Sequence, residues 1–290
     1  MDTLSLKDKF ARMGARLEIA EVRNVGRDAG QVLAVDIRKD HKGEYFDVQV
    51  KSGCLLDMDA VDVRPDMRHL LLMARTRDVN VTAGRRWPRP AIPTKVDVLD
   101  KQRKSKFLCG HDERSWFVAA VPEDSGASNV RTAMEALKPF EVRSAQVRAG
   151  VRFDKRNRRK NAAFVRQGEW FFLPRPDLVV SPTLIRRREP LQRSGGKPHT
   201  AEFAYRTGGT RVWVSREFPS GLTDEKYAEY IKIHAFAKPT FRMMLRNAGV
   251  FVKGRVSHSD HATIKLACWH QVIMNTEHLS RARANVVFLD

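Results

Sequence analysis

The chain reads as an α+β protein of several β-hairpins and small curled sheets with three to four helices. Three observations predict this class. Short apolar–polar alternations recur at hairpin spacing between residues 17 and 74. Two further apolar pairs, near 107–121 and 163–173, are each interrupted by a polar turn. Only a few segments place a capping residue ahead of apolar positions at helical spacing.

A first helix is expected over Leu6–Met13, with Ser5 as N-cap and Gly14 to end it. Strands follow at Leu17–Arg23, Leu33–Ile37 and Phe46–Val50, with a hairpin loop at Lys39–Gly43, and others near Val61–Val63 and Leu70–Ala74. Such closely spaced strands suggest a curled sheet or barrel. Phe107–His111 and Trp116–Val121 form a hairpin turning at Asp112–Ser115. Ser128 caps a helix over Val130–Leu137 that Pro139 ends. Ala163–Arg166 and Trp170–Leu173 form a second hairpin. Thr223 caps a helix from Asp224 to about Phe236, whose Tyr227, Tyr230, Ile231 and His234 form a core-facing stripe, and Pro239 starts another helix. A last hairpin joins Val250–Ser257 to Ala262–Met274. Glu113-Arg-Ser-Trp-Phe and Gly168-Glu-Trp-Phe-Phe echo one another faintly at two of these turns.

These elements divide the chain into a β-rich region at 1–78, a Pro/Arg-rich connection at 79–105 and a hairpin-and-helix region at 106–180. A basic linker at 181–200 then leads to a helix pair with a hairpin at 201–290. At 290 residues, 42% apolar and 30% charged, the chain can bury a substantial core. The N-terminal MDTLSLKDKF lacks the apolar run of a secretory signal, and no apolar stretch is long enough to span a bilayer. Three scattered cysteines, Cys54, Cys109 and Cys268, argue against a disulfide framework. The expectation is a soluble cytoplasmic protein with no membrane partner.

The net charge of +19 is unevenly spread: residues 151–200 carry 13 basic and 4 acidic side chains, +9 of the excess. Clustering of this kind is the footprint of a polyanion partner. Lys155, Arg156, Arg158, Arg159 and Lys160 form one run, and Arg186, Arg187 and Arg188 another. Arginine forks suit phosphate oxygens, and the strand between the runs carries Trp170 among phenylalanines, one or two of which are expected to be free to stack on bases. Nucleic acid, RNA or single-stranded DNA, is therefore the expected partner. Helix-turn-helix, zinc-finger, P-loop and dinucleotide fingerprints are missing.

Histidine and cysteine usage suggests the chemistry. Arg255, His258, Asp260 and His261 at the last hairpin tip offer an acid–base pair beside a cation, the residue types that phosphodiester cleavage needs. His111, Asp112 and Glu113 form a second candidate at another turn, where the carboxylates could hold a divalent metal. A single zinc site spanning His258, His261 and Cys268 is excluded by strand rise, which separates them by roughly 23 Å. If their strands are neighbours, Cys109, His111, Cys268 and His270 present four soft ligands for zinc or another divalent metal.

The segments KFLCGHDERSWFVAAVP (106–122) and VSHSDHATI (256–264) resemble an uncharacterised bacterial protein family, and that resemblance implies neither fold nor activity. Three functions remain: a nucleic-acid-binding protein, a nuclease or other phosphodiester-processing enzyme using the histidine-rich turns, and an accessory subunit of a larger assembly.

Overall fold

A computed structural model describes residues 2–25, 31–78, 101–192 and 197–280. Strand outweighs helix by 47% to 24%, so the chain is mostly β, and the expected α+β class is corrected. Among the described residues the strands lie in four sheets, none of them closed into a barrel. The added strand lies in segments expected as connection, linker or helix: 101–105, 186–191 and 242–246.

Helix α1 (Thr3–Arg12) starts earlier than expected because Asp2, not Ser5, caps it by accepting the Ser5 N–H at 3.1 Å. Strands β1 (Leu17–Val22), β2 (Leu33–Asp40) and β3 (Gly43–Lys51) form a sheet in which β1 runs parallel to β3 and β2 antiparallel. Strands β4 (Leu55–Arg64), β5 (His69–Asp78), β6 (Lys101–Asp112) and β7 (Ser115–Val121) follow as an antiparallel meander. The connection expected over 79–105 lies outside the described residues at 79–100, and 101–105 belong to β6. Phe10 packs edge-on against Phe46 at 5.2 Å in the core shared by α1 and these two sheets.

The other face of the meander holds α2 (Val130–Ala136), capped reciprocally by Asn129 and Thr132. Pro139 does not merely stop α2. Its fixed φ of −58° opens α3 (Phe140–Arg148), which sequence reading had missed. Strands β8 (Val165–Gln167), β9 (Trp170–Pro174), β10 (Arg186–Leu191) and β11 (His199–Thr207) belong to a six-stranded sheet, so the expected linker at 181–200 contains an edge strand. Strand β12 (Thr210–Val214) precedes α4 (Asp224–Ile233). The helix expected from Pro239 is instead a short 3-10 turn followed by strand β13 (Arg242–Arg246), paired with β12. Its Met243, Met244 and Leu245 are exposed, and α4 buries no residue fully, so Tyr227, Tyr230, Ile231 and His234 do not form the expected core-facing stripe. Strands β14 (Gly249–Ser257) and β15 (Ile264–Met274) complete the large sheet in the order β10-β11-β14-β15-β9-β8. No helix among the described residues is long and apolar enough to cross a membrane.

Candidate metal-binding cleft

Three turns from two sheets meet at one cleft of about 230 Å³. The β6–β7 turn brings Asp112 and Glu113, the β8–β9 turn brings Gly168, and the loop between β14 and β15 brings His258, Asp260 and His261. Strand pairing adds a residue that sequence spacing hides. Thr200 of β11 lies opposite Ser257 of β14, so His199 comes beside His258 across 59 positions of chain. The turns are tied together directly: Glu113 accepts the Ala262 N–H at 2.5 Å, and Gln167 donates to the Ala262 carbonyl at 2.6 Å.

His199, His258 and His261 form a group able to hold a metal ion, with candidate ligand nitrogens within 4.8 Å of one another. Their rings stack, His199 on His258 at 4.1 Å and His258 on His261 at 4.8 Å. His199 is 1% exposed and neither of its nitrogens has a hydrogen-bond partner. Of the seven buried side-chain polar atoms that lack a partner among the described residues, five lie around this cluster: both nitrogens of His199, Nδ1 of His261, Oε1 of Gln167 and Nε1 of Trp170. Buried polar groups are ordinarily satisfied, so such a concentration marks a place where a ligand or water belongs. Glycine at 168 keeps the space open. A Cβ there would stand 2.9 Å from His261 Nε2 and 3.5 Å from His199 Nε2, and its φ of +56° also disfavours a side chain.

His199 and His261 are neutral at pH 7. Burial, then the neighbouring His258 and His261, pushes His199 down to about 3; burial, then His258 and Arg159, pushes His261 down to about 4. Neutral imidazole is the form that binds metals. His258 is already engaged: its Nδ1 accepts the Asp260 N–H at 3.1 Å, which leaves Nε2 to donate to the Lys197 carbonyl at 3.2 Å. Ligation through Nε2 would require its proton to move to Nδ1, giving up both of these bonds.

Charges rim the cleft. Lys197 contacts Asp260 at 3.3 Å. Burial raises the Asp260 carboxyl, but bonds from Ser259 and Lys197 and the nearby positive charge outweigh it and hold it below its ordinary value. Arg159 is clamped by Asp112 and Glu113. Arg166 stands 3.6 Å from Asp112, beyond hydrogen-bond range, and burial lowers it to about 10, so it remains a cation in a poorly solvated place. Glu113 reaches its position with φ +50°, a strained value for a side-chain-bearing residue.

The residues singled out in the sequence are distributed unevenly about this site. His258, Asp260 and His261 line it, whereas Arg255 is turned to Glu202. Asp112 of the second turn lines the same cleft and Glu113 bonds the Ala262 N–H and Arg159 beside it, while His111 packs edge-on against Trp116. Arg158 and Arg159 of the basic run reach the cleft region, Arg156 bonds the Val151 carbonyl, and Lys155 and Lys160 are exposed. Arg186 pairs with Glu189, Arg187 lies over Phe203, and Arg188 is exposed with φ +54°. Trp170 is half-buried, edge-on to His199, and Phe164, Phe171 and Phe172 are buried in cores, so few rings are left to stack on bases.

The four-ligand grouping of Cys109, His111, Cys268 and His270 does not assemble. Its condition was neighbouring strands, but β6 pairs with β5 and β7 while β15 pairs with β14 and β9. Burial also raises the Cys109 thiol far above its usual range, against thiolate ligation, and His270 Nδ1 lies 2.8 Å from the Cys268 carbonyl. Sequence reading missed His199, Lys197, Gly168 and Arg166. Compared with known protein families, curated proteins and solved structures, the chain matches none.

Proposed function

We propose that the protein is a metal-dependent phosphodiesterase acting on nucleic acid, with His199, His258 and His261 holding a zinc-like divalent cation. The observation that carries this reading is the pair of unpartnered nitrogens on His199, buried beside two further histidines and a glycine that leaves them room. The imidazoles of His199, His258 and His261 would hold a zinc-like cation, which would supply a water acidic enough to ionise near neutral pH. The depressed histidine values favour this over metal-free acid–base cleavage, since His199 and His261 are too weakly basic to serve as protonated acids at pH 7.

In the reaction, the water-derived oxygen bonds to phosphorus as the ester P–O bond breaks. The leaving alkoxide takes up a proton, so diester plus water gives monoester plus alcohol. Arg166 and Lys197 would offset the growing phosphoryl charge, and Asp260, anionic beside Lys197, would hold the water or pass on its proton. The overall charge of +19 favours a polyanionic substrate.

The test combines zinc titration against a chromogenic chelator with cleavage of single-stranded RNA and DNA, with and without EDTA. About one zinc per chain and EDTA-sensitive cleavage are expected, both lost in His199→Ala. Zinc binding unchanged by His199→Ala, or substrates left intact by the zinc-loaded protein, would overturn the proposal.

A further inference from the structure

The wall of the cleft away from the histidines is apolar, formed by Leu108, Phe117, Ala119, Met134 and Phe171. A hydrolytic centre needs only the phosphate and its two ester oxygens, so this wall calls for an occupant of its own. The whole cleft, histidine end included, measures about 230 Å³, below the roughly 300–1,000 Å³ typical of drug-sized ligand sites, so the part beside this wall accommodates at most one flat unit. Two amides stand on the same lining. Asn157 Oδ1 accepts from Lys138 at 2.6 Å and Asn275 Oδ1 from the Glu277 N–H at 3.3 Å, which leaves each amide its Nδ2 donors. Apolar side chains and amide donors that share one cleft with Lys197 and Arg166 match a nucleobase joined to a phosphate.

We infer that this wall is a nucleobase subsite that receives one terminal nucleotide of a single strand. The inference rests on the phosphodiesterase reading and names its substrate class. A duplex or the interior of a strand would have to extrude a base to enter, whereas a strand end presents one already unstacked. Base burial against apolar and aromatic side chains should add at least tenfold to affinity.

The experiment measures calorimetric binding of adenosine 5′-monophosphate, ribose 5-phosphate and inorganic phosphate to the zinc-loaded full chain. Adenosine monophosphate is expected to bind tenfold or more tightly than ribose 5-phosphate. In Met134→Trp, which fills the slot, that ratio should fall to about one with zinc affinity unchanged. Equal affinities in the wild-type chain would overturn the subsite whatever the variant does, and would leave the metal site standing. A chain that takes up no zinc yet still prefers the nucleotide would support the subsite and overturn the metal reading. Cleavage of circular single-stranded DNA as fast as linear would overturn the terminal preference.

Discussion

Acidification should destabilise the protein through His199 by an amount the structure allows to be worked out. Unfolded, the imidazole takes a proton near pH 6.5; folded, it does so only near 3. The unfolded chain therefore binds the extra proton, and stability that is full above pH 6.5 falls as pH drops toward the folded value. Between 6.5 and 5 the loss is 1.5 pH units at about 1.4 kcal/mol each, about 2 kcal/mol from His199 alone. His261, depressed to about 4 but partly exposed, adds a smaller amount of the same sign. His69, His111 and His270 are also depressed by burial and steepen the wild-type curve, so the informative quantity is a difference. His199→Phe keeps a ring against His258 and removes the titration. Urea unfolding in EDTA at pH 7 and pH 5 should show the variant losing about 2 kcal/mol less than wild type. Zinc at a hundredfold excess over its dissociation constant should then raise wild type by about 2.7 kcal/mol and leave the variant unmoved. Parallel pH slopes for the two proteins would refute the burial argument, and equal zinc responses the metal one.

Substitutions at three other positions test separate links. Gly168→Ala should cost only about 1–2 kcal/mol of stability through its positive φ, yet weaken zinc binding by a hundredfold or more, because the Cβ stands against His261 and His199; chelator competition reads the second effect. Glu113→Ala and Glu113→Gly both release Arg159 and the Ala262 N–H. Only glycine relieves the backbone, so thermal unfolding should place Glu113→Gly about 1 kcal/mol above Glu113→Ala. Phe10→Ala should cost about 3–5 kcal/mol in denaturant unfolding, since Phe10 is fully buried against Phe46.

Much of the fold was legible where alternation was clean. The hairpins around Asp112–Ser115 and between β14 and β15 follow from period-2 patterning, and α4 from Thr223 and the acids behind it. The parallel pairing of β1 with β3 was not legible, because alternation reveals a strand and not its neighbour. Strand β13 was read as helix because Met243, Met244 and Leu245 in succession carry no period at all. Half of the site could be read in the same way: His258, Asp260 and His261 are polar residues at a visible turn. His199 could not, since it closes a stretch rich in Pro, Gly and Arg, and only the register of β11 on β14 makes it a neighbour. The Cys-x-His pairs misled for the converse reason, being alike in sequence and apart in topology.

Two turns that looked like rival sites in the sequence are parts of one. Asp112 and Glu113 do not compete with His258 and His261 for a role; they fix Arg159 and the Ala262 backbone next to them. This arrangement also argues against a purely structural histidine cluster. A phenylalanine at 199 would stack as well and desolvate nothing, whereas two unpaired ring nitrogens cost about 1–3 kcal/mol each. Glu113 holds a strained backbone at the same place, and Gly168 leaves a space that a side chain would fill. Orphaned ring nitrogens, strain and an empty space each oppose stability, and a cation bound by the three rings would take one nitrogen lone pair from each ring and use the space.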